Sequence, residues 1–383
     1  MRTFSNDLIE FIRNQYKSSE VIPLHAPSFS GNEKKYLCEA IDSTMVSSIG
    51  EFVVDFEKKV AEFTGAKYAV AVCSGTAALH LALLSAGVET GDEVLTQSLT
   101  FIATCNAISY CGAHPVFLDV ERQSLGMCPD SLRKFLELES VIDDDGNCRN
   151  RQTGRIIRAC VPVHNLGHPV RIDKIRAICD LFHIALVEDA AEALGSFYDG
   201  QHVGTFGHSG VISFNGNKII TTGGGGMILT NSEETATQIR HLSTTAKLPH
   251  KWLYVHDQVG FNYRMPNLNA AVGCAQIETL IEIIEKKRTL AGRYESWLED
   301  QNYEFFTEAS WAHSNCWLNA FFVRSLDERD IILRLLNENG IMARPMWTPM
   351  HTQTPYQNSV KASLYTSNEI ENRLVCLPSS PTC

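Results

Sequence analysis

Three short segments place reactive or charged side chains where an apolar run gives way to a turn. Ser74-Gly75-Thr76-Ala77-Ala78 separates the run Tyr68 to Cys73 from a helical stretch. A helix N-terminus offers unpaired N–H groups and the positive end of its dipole to an anion. Gly75 allows close backbone approach there, and Thr76 adds a hydroxyl. A plain strand-to-helix turn with an N-cap accounts for the same residues. In Val187-Glu188-Asp189-Ala190-Ala191-Glu192, Asp189 falls at the carboxyl end of an apolar run, the edge where open α/β sheets bind ligands. A carboxylate there can pair with a protonated ring nitrogen and keep the ring electron-withdrawing; capping the next turn is the ordinary alternative. The third segment is Ser213-Phe214-Asn215-Gly216-Asn217-Lys218, with Gly223 to Gly226 close behind. A lysine shielded from water near other cations gives up its proton more readily and can form an imine; a solvated loop lysine is the alternative. The glycine run precedes a strand rather than a helix, unlike a nucleotide loop.

The surrounding pattern must position these groups. Short apolar runs recur at Tyr68 to Cys73, Glu93 to Leu95, Pro115 to Leu118, Ile156 to Val163, Ile184 to Val187, Val211 to Phe214 and Met227 to Leu229. Between most of them lie helical stretches: Ala77 to Ala86, Ile102 to Tyr110, Ser131 to Leu138, Arg171 to Phe182 and Glu233 to Leu242. Strand alternating with helix predicts an α/β fold, a mainly parallel sheet covered on both faces. Asn6 to Gln15 reads as an amphipathic helix, Asn267 to Lys287 as one long helix, and Asp143 to Arg155 as an exposed loop or hairpin. Asn315 to Val323 and Arg329 to Asn339 read as strand then helix in a smaller α+β unit. The expected division is an N-terminal helix and entry segment over 1–30, a large domain over 31–285 and a small domain over 286–383.

Of 383 residues, 44% are hydrophobic and 20% charged, as in ordinary globular proteins. The net charge of −11 argues against broad binding to nucleic acid or anionic lipid; a local pocket of N–H groups can still hold a phosphate. The 12 cysteines lack paired CxxC spacing, so no metal site is expected. No apolar run reaches membrane-spanning length, and Met1 to Glu10 lacks a signal core. A cytoplasmic location is the resulting expectation.

The order and spacing of the three segments resemble fold-type I pyridoxal-phosphate enzymes. More narrowly, the chain resembles the nucleotide-sugar aminotransferases of the DegT/DnrJ/EryC1/StrS family from about Ile22 to near the C-terminus. Asn215 through Thr222, Gly260-Phe-Asn-Tyr-Arg-Met-Pro-Asn267 and Ala343 through Trp347 to His351 carry the likeness. With Ile22-Pro-Leu-His-Ala-Pro27 and Val46 to Gly50, they are most similar to the LegC-type subgroup of legionaminic acid and bacillosamine synthesis.

The resemblance implies pyridoxal 5'-phosphate as cofactor, with Lys218 as the Schiff-base lysine and Asp189 as the partner of the pyridine nitrogen. Ser74, Gly75, Thr76 and Ser213 match phosphate-binding positions, and Phe101 matches an aromatic residue stacked on the ring. Glu192 stands near the ring hydroxyl position, and His164 where the family places a pocket residue after a strand. Asn262 matches an asparagine reaching the neighbouring subunit's cofactor phosphate, which implies a homodimer with shared active sites. Lys247, Arg264 and His351 are candidate contacts for the nucleotide sugar, each with a structural role as alternative. The implied reaction moves an amino group, from glutamate by analogy, to C4 of a UDP-4-keto-6-deoxy-N-acetylhexosamine. Another keto sugar, such as a GDP-linked one, is a competing substrate. Many relatives have Gly-Glu-Gly-Gly where this chain has Gly223 to Gly226, and a dehydratase branch replaces the lysine by histidine; Lys218 favours transamination. Two rivals stand: a dehydrogenase, which lacks its G-x-G-x-x-G turn here, and a non-catalytic regulator that binds the cofactor.

Overall fold

The computed structural model describes residues 2–382. Its centre is a seven-stranded sheet of β1 (Tyr68–Val72), β2 (Glu93–Gln97), β3 (His114–Leu118), β4 (Ile157–Val161), β5 (Ala185–Asp189), β6 (Ser209–Ser213) and β7 (Gly226–Thr230). The spatial order is β1-β7-β6-β5-β4-β2-β3. From β6 to β3 every pairing is parallel, whereas β7 runs antiparallel to both β1 and β6. The chain is thus an α/β protein with a mostly parallel sheet.

Alternation decides which strand residues meet which helix layer. Val70, Val72, Val211 and Ile228 pack with Leu79, Leu81, Ile108 and Ile239 on one face. Ala69, Ala71, Ile212, Met227 and Leu229 pack with Val53, Phe56, Leu132, Ile175 and Cys274 on the other. Both faces are dry, so the strands read as continuous apolar runs. The described cysteines are all free thiols. Among the described residues, no helix is long and apolar enough to cross a membrane.

A second sheet, in the order Glu304–Phe305, Asn319–Phe322, Leu374–Leu377, Arg344–Pro345, lies in the C-terminal part. The N-terminal helix Arg2–Tyr16 packs Leu8 and Ile12 into one cluster with Leu290, Tyr294, Phe321, Ile332 and Leu336 of that part. The predicted single helix from Asn267 to Lys287 is instead two, Asn267–Glu278 and Leu280–Asp300. They break at Thr279, which has φ −104° and ψ 0° and turns its hydroxyl back to the Gln276 carbonyl; such back-bonding bends helices. The polar stretch after Leu138 forms a hairpin, Ser140–Ile142 with Cys148–Asn150.

Candidate active site

A cavity of about 300 Å³ opens at the carboxyl edge of the parallel strands. Ser74, Gly75, Thr76, Phe101, Asp189, Glu192, Ser213 and Lys218 all line it. Parallel topology explains the meeting, because β1, β5 and β6 all deliver their last residues to the same edge.

The helix Gly75–Ser85 begins at the cavity. Ser74 is in extended conformation and accepts the Ala77 N–H at 3.1 Å, so its hydroxyl acts as N-cap. Two glycines let the backbone close up here. A Cβ on Gly75 would lie 2.9 Å from the Ser213 Cβ, and one on Gly226 would lie 2.5 Å from the Ser74 carbonyl. Helix start and β6 end are therefore in contact, with the first-turn N–H groups and the Ser213 hydroxyl side by side. That arrangement suits a phosphate.

Asp189 ends β5 and is buried. One carboxylate oxygen accepts the Thr104 hydroxyl at 2.7 Å and the other the Ala191 N–H at 3.1 Å. Burial pushes its carboxyl pKa up, while Thr104, Ala191, Lys218 and His164 pull it down. Glu192 accepts the Leu166 N–H at 2.8 Å and stands 3.5 Å from the Lys218 Nζ; burial raises its pKa, opposed first by Lys218. Leu166 donates from a left-handed turn, φ 55°, which non-glycine residues rarely adopt. The Lys218 amine also lies 4.2 Å from the centre of the Trp317 ring. Phe101 is 52% exposed although large and aromatic, and meets Trp347 edge-on at 5.6 Å.

The other sequence-derived candidates lie off the cavity. His164 is buried behind Asp189, to whose carbonyl its backbone N–H donates at 3.0 Å. Its ring is committed: Nδ1 accepts the Val170 N–H at 3.2 Å and Nε2 faces Glu188 at 3.3 Å. His351 is held by the Ser98 hydroxyl at 2.7 Å, and burial lowers its pKa. Asn262 is exposed and bridges to Thr244. The Lys247 amine sits 4.1 Å over the Tyr254 ring. Arg264 lines a separate open cleft with Met45, Ile49 and Val54. Sequence reasoning missed Thr104 and Trp317. Thr104 had a signal, standing four residues after Thr100 at a helix start, and the two hydroxyls are 3.2 Å apart. Trp317 had none, since it reads as one more apolar residue within the strand expected over Asn315 to Val323.

A family model described as the DegT/DnrJ/EryC1/StrS aminotransferase family matches residues 27–383. The chain belongs to that family. EpsN of Bacillus subtilis strain 168, named as a pyridoxal phosphate-dependent aminotransferase, is 40% identical over 368 residues, 94% of this chain and 90% of EpsN. GDP-perosamine synthase of Vibrio cholerae is 37% identical over 364 residues, 94% of each chain. The crystal structure of a DegT DnrJ EryC1 StrS aminotransferase from Brucella abortus has a TM-score of 0.83 at 27% identity, covering 91% of this chain and 90% of that one. This chain is accordingly a pyridoxal-phosphate-dependent aminotransferase acting in sugar biosynthesis. The cavity fits that cofactor: an N–H-lined phosphate seat where a Cβ would not fit, an aromatic face left half open, a buried carboxylate, and a lysine amine held between the Glu192 carboxylate at 3.5 Å and the Trp317 ring.

Proposed function

We propose that the chain transfers an amino group to C4 of a nucleotide-linked 4-keto-6-deoxy sugar, with Lys218 as the lysine that carries the cofactor. The observation that carries this reading is that Lys218, Asp189 and the Gly75–Ser85 N-terminus line one cavity. The cofactor, when bound, supplies an electron sink that stabilises a carbanion at the carbon losing its proton. Asp189 holds a proton on the ring nitrogen. Gly75, Thr76 and Ser213 bind the phosphate, Phe101 covers the ring, and Glu192 orients Lys218 and the ring hydroxyl. Lys218 would carry the cofactor, and its Nζ, once freed, would move the proton at the donor's Cα, as base and then acid. Glutamate is the proposed donor.

A cavity of about 300 Å³ lies at the small end of ligand sites, which span about 300–1,000 Å³, so the proposed place of the nucleotide is across the mouth. In this reading a second copy supplies Asn262, Lys247 and Arg264 to its neighbour, which accounts for their places off the cavity. The exposed Trp252, Tyr254, Val259, Ile49 and Val54 support such a homodimer.

UDP-4-keto-6-deoxy-N-acetylhexosamine is the first candidate substrate, on the subgroup motifs from Ile22 to Pro27 and Val46 to Gly50. A GDP-linked keto sugar is the second, favoured by relatives named GDP-perosamine synthase. Spectra separate them. Glutamate should bleach the band of the lysine-bound cofactor, and the true keto sugar should restore it. Restoration by the GDP sugar alone overturns the first candidate; restoration by neither overturns both.

A further inference from the structure

Lys218 has two neighbours competing for its amine. Glu192 offers a carboxylate oxygen at 3.5 Å, and Trp317 offers the face of its indole at 4.2 Å. The charge on the amine in turn lowers the pKa of Asp189 and, after burial and Lys287, that of His25. The indole is held far more tightly than packing alone requires. Trp317 is 1% exposed, and its Nε1–H donates at 2.7 Å to the carbonyl of Asn217, the residue preceding Lys218. Its backbone N–H donates to the Asn315 side chain at 2.9 Å. The Asn315 amide in turn donates to the carbonyls of Glu192 and Leu194, both at 2.9 Å. One asparagine therefore fixes the indole relative to the competing carboxylate. The Trp317 carbonyl accepts the Nζ of Lys287 at 3.0 Å, and the same amine donates to the Ser379 carbonyl. Lys287 is wholly buried, and burial lowers its pKa to about 7. A buried amine is costly to keep, and here it binds two carbonyls that fix the C-terminal wall of the cavity.

We infer that Trp317 is a positioning residue whose indole face is the seat of the Lys218 amine whenever that amine is not bonded to the cofactor. This rests on Lys218 being the cofactor's lysine. Lys218 would hold the cofactor through Nζ, and displacement by a donor that enters as an ammonium would free Nζ with the donor nitrogen's three protons, as a cationic amine. The freed amine must then stay close without being captured. A carboxylate in a dry cavity would capture it in an ion pair that is expensive to break. An aromatic face attracts a cationic amine but presents no lone pair to take its proton. The indole thus draws Nζ away from full pairing with Glu192 and holds it within reach of the cavity. Because Nε1–H also grips Asn217, seat and lysine move together.

The test follows the binding of pyridoxal phosphate to enzyme stripped of cofactor. Rapid mixing separates the initial non-covalent binding constant from the rate at which the band of the lysine-bound cofactor grows. Trp317→Phe keeps an aromatic face and loses the N–H; Trp317→Leu loses both. Trp317→Leu should slow bond formation about three- to thirty-fold, the range of a cation–π contact, with initial binding unchanged, which also reports an intact site. Trp317→Phe should recover to within about threefold of wild type, as a weaker but intact aromatic seat. Equal slowing in both variants would assign the effect to the Asn217 bond and overturn the seat, as would an unchanged rate in Trp317→Leu. Growth of the band in Lys218→Ala would instead overturn the reading of Lys218 itself.

Discussion

The cavity has two unlike walls. The sheet wall is polar, built from residues at strand ends and a helix start: Asp189, Ser213, Gly75 and Thr76. The C-terminal wall is aromatic, built from Trp317 and Trp347, and it draws its rigidity from Asn315 and the buried Lys287. The difference divides the labour. Charges that bind and polarise sit on the rigid parallel sheet, where topology converges them. Surfaces that exclude water and seat a moving amine come from the C-terminal part, whose Trp317, Ala320 and Phe322 pack into the same buried cluster as Ile212 and Met227 of the large sheet. If this division holds, damage to the sheet wall abolishes chemistry, whereas damage to the aromatic wall slows it.

The largest expected effect is Lys218→Ala, with turnover down at least about 10⁴-fold as base and carrier are both lost, measured as amine formation on the keto sugar with the fold checked by circular dichroism. Near-normal turnover would remove the sheet wall from the chemistry. Asp189→Asn leaves the shape and the Thr104 contact but removes the charge, and about a 10²–10³-fold fall in turnover is expected, as for removal of a preorganised electrostatic partner. A fall of less than tenfold would mean that the ring nitrogen is not held by this carboxylate. Gly75→Val forces side-chain atoms against Ser213, where a Cβ alone would stand 2.9 Å from its Cβ. Overpacking of about 1–3 kcal/mol should weaken cofactor binding by a factor of about five to a hundred and fifty, read by equilibrium titration.

The smallest effect concerns the aromatic wall. Folding lowers the Lys287 pKa from 10.5 to about 7. Between those values the unfolded chain binds a proton at this amine that the folded chain does not, so stability rises with pH across that window. Lys287→Met should lose that rise in a melting series against pH while keeping the sheet-wall chemistry. An unchanged slope would show that Lys287 is not the buried titrating group.

The sheet wall was legible in the sequence and the aromatic wall was not, for a physical reason. Residues at strand ends are marked twice, by an apolar run ending and by a small or charged residue following it. Asp189, Gly75 and Lys218 carry both marks. Trp317 lies in the irregular stretch between the strands Ala312–His313 and Asn319–Phe322, and no periodicity marks its contact with Lys218. The helix break at Thr279 was equally silent, because the apolar spacing continues through it. His164 shows the converse case. Its position after β4 matched a pocket residue, but the strand register turns its ring inward to Glu188 and Val170. Asn262, Lys247 and Arg264 lie outside the cavity of a single chain, so their part in binding is a question for the assembled protein.

The most direct test of the central claim is reduction of the pyridoxal-phosphate-loaded enzyme with borohydride, followed by peptide mass mapping. One reduced cofactor per chain is expected, on the peptide containing Lys218. Label on Lys287 or elsewhere, with Lys218 unmodified, would contradict it.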